Sequence, residues 1–264
     1  MNKTDTLIKR AFVFLIAIVA AIVLIGIIKF TAGPTLREIL LDSDASYWPF
    51  TIQNIMWVAL FIGFGELVLR WSAAKDEESQ LARGYLPTDG RQLDDSVLGK
   101  IRDSIASRKF ARNAFLPRMI SRTIDQYRVS GKEDQALGVM NASLELYMHE
   151  IDLRYSTLRY LTWLIPSLGF IGTVMGIMFA LQYAGIPANA ESEEFLYEVT
   201  QRLGVALTTT LLALIMSAVL VLAQSMVQSK EERALNAAGQ YTIDNLILRI
   251  GGRAKDKPET GTTL

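Results

Sequence analysis

The sequence predicts an all-α integral membrane protein with four transmembrane helices and a helical cytoplasmic region continuous with the third of them. Half of the 264 residues are hydrophobic, which is a high fraction for a soluble chain of this length. Four separate stretches are long and apolar enough to cross a bilayer as helices, which requires about 20 residues each. Lys and Arg alternate between scarce and abundant from one connecting segment to the next. Together these features favour a four-span fold.

The first span has no polar side chain and reads AFVFLIAIVAAIVLIGII. It follows two basic residues, as a signal peptide does, but it is too long for a signal-peptide core and no A-x-A site follows it. We therefore interpret it as a retained anchor. The four predicted spans are Ala11–Ile28, Ile52–Trp71, Leu158–Ala184 and Leu203–Val227.

The distribution of basic residues predicts the orientation of the spans. Three Lys and Arg precede span one, 13 lie between Ser72 and Arg154, and six follow Val227. The segment Gly185–Gln201 has none and carries four glutamates. Because Lys and Arg concentrate on the cytoplasmic side, both termini and the middle segment are predicted to be cytoplasmic.

Four regions follow from these spans. Residues 1–71 form an N-terminal transmembrane hairpin, and residues 72–157 form a cytoplasmic helical region whose last helix has no breaker before Pro166. Residues 158–227 form a second transmembrane hairpin. Residues 228–264 form an amphipathic cytoplasmic tail, and we expect disorder beyond Gly251.

The composition argues against an enzyme. The chain has no cysteine and one histidine, so it offers no thiolate site and no histidine cluster for a metal. It lacks a Walker loop, a G-x-S-x-G elbow and an H-E-x-x-H motif. Basic and acidic residues are equal at 27 each. We predict no cofactor, no metal site and no nucleic-acid partner.

Spans three and four each carry a face of small and hydroxyl residues. Residues three or four apart share one face of a helix, and small faces let helices approach closely. In addition, Pro166 deprives a backbone carbonyl of its helical partner. These faces fit either close helix packing alone or a polar seam shared by the two helices. They comprise Pro166, Gly169, Thr173, Gly176 and Ala180 in span three, with Gly172 beside them, and Ala206, Thr210, Ala213, Ser217 and Gln224 in span four, with Thr209 beside them.

Two stretches within these spans resemble a known family. PSLGFIGTVMGI, which begins at Pro166, is similar to the third-helix pattern P-x-x-G-x-x-G-T-x-x-G of the MotA/TolQ/ExbB proton-channel family. GVALTTTLLAL, which begins at Gly204, is similar to the fourth-helix pattern of that family. The chain departs from the ExbB and TolQ branches at three positions. Val205 occupies the place of a glutamate in those branches, and Ala213 and Val219 occupy places where they often have glycine and proline, respectively.

The resemblance implies the channel-forming subunit of a motor driven by the proton motive force. It implies a homopentamer in the lipid bilayer of a bacterial inner membrane. The pentamer surrounds two copies of a single-span partner like MotB, TolR or ExbD, whose aspartate carries the proton. It places Thr173, Thr209 and Thr210 on the ion pathway and matches Pro166, Gly169, Gly172 and Gly176 as pore-packing positions. From the small face of span four we add Ser217 to the ion pathway and Ala206 and Ala213 to the pore packing. It leaves open the branch, the process driven through an unknown cytoplasmic or envelope effector, and the choice between proton and sodium.

Span two holds a carboxylate, Glu66, four residues before Arg70. A carboxylate inside a span suggests a functional role by default, but this spacing favours an ion pair and the membrane surface is near. We interpret the two residues as an interfacial pair. Two other functions remain open for the whole chain: a passive four-span scaffold, and a small transporter with its path between spans three and four.

Overall fold

The computed structural model describes residues 3–43, 47–88, 90–108, 114–187 and 193–250. These residues are overwhelmingly helical and contain no β-strand, and four helices are long and apolar enough to cross a membrane. The prediction of an all-α, four-span fold is confirmed. The expected disorder beyond Gly251 lies outside the described residues.

The helices follow the apolar pattern and extend beyond the predicted spans. The second membrane helix continues ten residues past Trp71, and the fourth continues through Thr242 into a π-helical turn, Ile243–Ile247, and a final turn, Leu248–Ile250. The helices are α1 (Lys3–Thr31), α2 (Pro34–Leu41), α3 (Ile52–Leu81), α4 (Asp95–Ser107), α5 (Phe115–Ser130), α6 (Glu133–Arg154), α7 (Ser156–Ala184) and α8 (Phe195–Thr242).

Tyr155 alone separates α6 from α7. Its backbone keeps right-handed helical dihedral angles, φ −88° and ψ 0°. The helical run from Glu133 to Ala184 is accordingly 52 residues long. The predicted continuity of the third span with the helix before it is therefore present.

The chain divides into two compact units, which are described separately. Of the residues that the structure describes, the membrane unit comprises those in 3–69 and Tyr155–Met226. The polar unit comprises those in Arg70–Arg154 and 227–250. Each unit is thus assembled from segments that are far apart in the sequence.

Within the membrane unit, the short helix α2 was not predicted. Pro34 occupies its first turn, where a missing N–H costs nothing, and Gly33 precedes it in an extended conformation. The hydroxyl of Thr51 donates to the carbonyl of Leu41 at 2.8 Å, and the indole of Trp57 donates to the carbonyl of Leu40 at 3.0 Å. These bonds fix α2 against the start of α3.

The polar unit has its own apolar core, supplied by the amphipathic helices α4 and α5 and by α6. Gly131 ends α5 with a positive φ of 66°, which a glycine adopts without strain. The ring centroids of Phe115 on α5 and Tyr147 on α6 lie 5.0 Å apart. Fully buried side chains of this core include Leu98, Phe115, Met119, Ile124, Met140, Tyr147 and Ile151.

Candidate ion path between α7 and α8

The small faces of α7 and α8 meet inside the membrane unit. A Cβ atom added to Gly172 would lie 2.5 Å from the methyl carbon of Thr209, and one added to Gly176 would lie 2.5 Å from Cβ of Ala206. A Cβ added to Gly169 would overlap Ala213. Since side-chain contacts this short do not occur, these three positions require glycine for the observed approach of the helices.

Thr173 and Thr210 face each other across this contact, and their hydroxyl oxygens are in hydrogen-bond contact. The hydroxyl of Thr173 also lies 3.0 Å from the carbonyl of Ala206, and that of Thr210 lies 2.9 Å from the carbonyl of Gly169. Both side chains are half-buried. Each hydroxyl has one proton and more than one acceptor, so the pair can exchange hydrogen-bond partners without ionising.

Ser217 satisfies the carbonyl that Pro166 leaves without a partner. In an α-helix the N–H of Pro166 would donate to the carbonyl of Thr162, but proline has no N–H. The hydroxyl of Ser217 donates to that carbonyl at 2.9 Å. The orphan carbonyl foreseen from the sequence therefore has a partner, and it is supplied by α8.

The three consecutive threonines of α8 point in three directions, because successive helical residues lie 100° apart. Thr208 donates to its own helix, at the carbonyl of Val205. Thr210 faces α7 as described. Thr209 is almost fully buried at 2% exposure, and its hydroxyl accepts a hydrogen bond from the amide of Gln53 at 3.0 Å.

Gln53 is a functional candidate that the sequence analysis missed. It lies in the first turn of α3 and is 2% exposed. The available signal was a side-chain amide at the start of an apolar span, where a polar group needs a hydrogen-bond partner.

Glu66 has a partner on another helix. Its carboxylate accepts hydrogen bonds from Arg10 Nη2 at 2.9 Å and Arg10 Nε at 3.3 Å, and its side chain is fully buried. Arg70, with which it was paired in the sequence analysis, lies one turn further along α3, and that pairing stays a prediction. The ion pair between Arg10 and Glu66 joins α1 to α3.

Among the residues that the structure describes, no group of three or more His, Cys, Asp or Glu could hold a metal ion. The polar groups between α7 and α8 are hydroxyls and backbone carbonyls. This arrangement can solvate a proton carrier or water, and it contains no nucleophile activated by a base.

The family model of the MotA/TolQ/ExbB proton channel family matches residues 108–239, which is half of the chain. The chain belongs to this family. The match includes the glycines of α7, the hydroxyl pair Thr173–Thr210 and Ser217, and it leaves α1 and α3 outside. No curated protein and no solved structure matches the chain.

Membership of the MotA/TolQ/ExbB family gives the chain a general function. It is a multi-pass membrane protein of a proton-channel family of the stator type, which works in complexes with single-span partner proteins. The family is one of channels and not one of enzymes.

Proposed function

We propose that this chain is the channel-forming subunit of a membrane motor driven by the proton motive force. Five copies surround two single-span partner helices in a bacterial inner membrane, with the polar unit and both termini in the cytoplasm. The observation that carries the proposal is the hydroxyl pair Thr173–Thr210, which lies half-buried between two closely packed membrane helices.

The chain itself offers no proton carrier along this path. No ionisable side chain occurs in Ala11–Ile28, between Leu161 and Gln182, or in Leu203–Val227. Threonine does not titrate near neutral pH, although it donates and accepts hydrogen bonds at once. A proton path along α7 and α8 therefore needs a carboxylate from another protein, which supports a partner with a membrane aspartate.

The hydroxyl pair supplies a way to couple protonation to position. A carboxylate is easier to protonate in an apolar environment and easier to ionise where hydroxyls hydrogen-bond to it. The partner's aspartate is protonated from the outside, moves past Thr173 and Thr210 of successive subunits, and releases its proton inward. Unequal engagement by five hydroxyl pairs then drives rotation or displacement of the partner.

The contacts favour different roles for the other two candidate hydroxyls. Thr209 is engaged by Gln53, and Ser217 is engaged by the carbonyl of Thr162. Both serve the packing of the membrane unit in this proposal, and the ion path consists of Thr173 and Thr210.

The first experiment is the native mass of the complex in mild detergent, with the chain expressed alone and then together with its single-span partner. We expect five copies, and a gain of two partner chains on co-expression. A monomer or dimer that ignores the partner would remove the pore from the proposal and favour ordinary helix packing.

The second experiment replaces the hydroxyl pair. Thr173→Val with Thr210→Val keeps the side-chain volume and removes both hydroxyls, and we expect proton flux in vesicles containing the complex to fall by about 100-fold, as when a positioned donor is lost. Thr208→Val is the matched control, because the Thr208 hydroxyl donates to the carbonyl of Val205 in its own helix, and it should retain full flux. Full flux in the double variant would favour the passive scaffold. Repeating the assay with a sodium gradient identifies the transported ion.

A further inference from the structure

Gln53 and Thr209 form a buried hydrogen bond that joins α3 to α8. Each side chain is only 2% exposed, and the amide nitrogen of Gln53 lies 3.0 Å from the hydroxyl oxygen of Thr209. A buried amide costs free energy unless it is hydrogen-bonded, so this contact holds both partners firmly in an apolar environment.

Thr209 is held on three sides. Its hydroxyl donates to the carbonyl of Val205 at 2.8 Å and accepts from Gln53, while its methyl group lies against Gly172 of α7. Thr209 therefore makes contact with α3 and α7 at the same height of α8. A contact with two neighbouring helices fixes the rotation of α8 about its own axis.

That rotation decides which threonine faces α7. Adjacent residues of an α-helix differ by 100°, so turning α8 by one position would bring Leu211 or Thr209 to the place of Thr210. We propose that Gln53 is a positioning residue for the ion path: by holding Thr209, it sets the rotation of α8 at which Thr210 meets Thr173. This inference rests on the proposed function of the Thr173–Thr210 pair.

Span two thereby contributes to the ion path without lining it. Gln53 lies outside residues 108–239, which match the family. The helix α3 is more than a membrane anchor in this arrangement, since it supplies the polar group that orients the fourth span.

The natural absence of cysteine makes the rotation of α8 directly measurable. Thr173→Cys with Thr210→Cys places two thiols where the hydroxyls now touch, and the rate of disulfide formation reports how often they face each other. Adding Gln53→Met, which keeps the length and removes the amide, should slow this rate by about tenfold, the equivalent of one hydrogen bond of roughly 1.4 kcal/mol. Thr209→Val removes the same bond from the other side and should act alike.

Gln201→Met is the matched control. Its amide donates to Glu38 of α2 at 2.8 Å, so the same chemical change is made on α8 itself without touching Thr209. We expect its disulfide rate to equal that of the parent. Thr173→Cys with Leu211→Cys reports the helix turned by one position, and its disulfide should form faster when Gln53→Met is present.

Proton flux of the complex with its partner is the second readout. Gln53→Met and Thr209→Val should each lower the flux, and the double variant should lose no more than either alone, because both remove one contact. An unchanged disulfide rate in Gln53→Met and in Thr209→Val overturns the positioning role. Suppose that Thr173→Val with Thr210→Val abolishes flux. A slower rate of disulfide formation together with full flux in Gln53→Met would then show that Gln53 positions α8 but does not matter for the ion path. If that valine pair retains full flux, the proposed function fails and the inference fails with it, whatever the disulfide rates.

Discussion

Pro166 lies inside α7 and leaves the carbonyl of Thr162 to be satisfied from outside the helix. Ser217 meets that need across the helix contact. An unpaired carbonyl in a membrane helix costs more than one at a surface, because no bulk water is present to replace the lost donor. The proline on one helix and the serine on the other therefore form a single feature.

Ser217→Ala should lower the free energy of unfolding by about 1–3 kcal/mol, because it leaves the Thr162 carbonyl unsatisfied. Adding Pro166→Ala restores the backbone N–H, so the serine should then be dispensable and the double variant should recover much of the loss. Denaturation in detergent measures both. Ser167→Ala is the control, since the half-buried Ser167 donates to the carbonyl of Trp163 within its own helix, where no proline has removed the backbone donor. Additive losses from Pro166→Ala and Ser217→Ala would contradict the pairing.

Glu77 is a half-buried carboxyl in the polar unit, beyond the roughly 20 residues of α3 that a bilayer requires. Burial raises the pKa of Glu77 to about 7, and the nearby Glu231 raises it further. The N–H of Phe115, which donates to the carboxylate at 2.9 Å, and the positive charges of Arg154 and Arg118 act in the opposite direction. The folded protein thus holds a proton on Glu77 at pH values where the unfolded chain has released it.

The sign of the pH dependence follows from this shift. Because the pKa of Glu77 is higher in the folded state than its ordinary value of 4.5, its contribution to stability is complete below pH 4.5 and is lost as the pH rises through about 7. Glu77→Gln, which mimics the protonated form, should flatten the fall of Tm over this window. Glu78→Gln is the control, as Glu78 is 60% exposed and paired with Lys230 at 3.2 Å. An equal pH dependence in both variants would exclude Glu77 as its source.

At the scale of helices, the ion pair between Arg10 and Glu66 connects the first membrane helix, α1, to the second, α3. The guanidinium presents two nitrogens to the two carboxylate oxygens, a geometry that favours arginine over lysine. Gly65 lies beside this pair, where an added Cβ would lie 3.3 Å from Val13 and from Ala17. Polar and close-packed contacts thus coincide at one end of the α1–α3 hairpin.

Arg10→Met should destabilise the membrane unit by about 3 kcal/mol, because it withdraws two charge-assisted hydrogen bonds from a buried carboxylate. Arg10→Lys should recover only part of this, since lysine cannot make the paired contact. Arg128→Met breaks an exposed pair with Asp95 and should cost about 0.5 kcal/mol or less. Equal losses from Arg10→Met and Arg128→Met, measured by Tm in detergent, would show that the buried pair contributes little.

The helix pattern was predictable because it depends on local periodicity. The small faces of α7 and α8 and the orphan carbonyl below Pro166 follow from residue spacing alone. The contacts of Glu66 with Arg10 and of Thr209 with Gln53 could not be predicted from spacing, because the two residues of each pair are 56 and 156 positions apart. Arg70 was visible from the sequence as a partner for Glu66 because it lies one turn away on the same helix, whereas Arg10 lies on another helix.

At the scale of the whole chain, the C-terminal helical segment closes the polar unit. The hydroxyl of Tyr241 accepts from the N–H of Leu86 at 3.0 Å, and Arg249 donates to the carbonyl of Pro87 at 2.6 Å. The N–H of Leu93 in turn donates to the carbonyl of Arg249 at 3.2 Å. The connection between α3 and α4 is therefore held by residues more than 150 positions away.

Tyr241→Phe removes the hydroxyl that accepts from the Leu86 N–H and donates to the Leu86 carbonyl. Hydrogen exchange at the Leu86 and Leu93 amides should become at least about tenfold faster, because the connection is released locally. The exposed Tyr197 offers a control, since Tyr197→Phe should leave both amides unchanged. Uniformly faster exchange throughout the polar unit would indicate that Tyr241 stabilises the whole unit and not only the connection between α3 and α4.

The run Thr208-Thr209-Thr210 has a consequence for changes in chain length. Deleting any one of the three gives the same protein, with two threonines left and the rest of α8 shifted by one residue, a turn of 100° and a rise of 1.5 Å. The residues before the run would keep Ala206 against Gly176, while Ala213 and Ser217 would leave Gly169 and the Thr162 carbonyl. A point substitution in this run changes the contacts of one side chain. A single-residue deletion instead makes the packing of the first half of the fourth span incompatible with that of the second half.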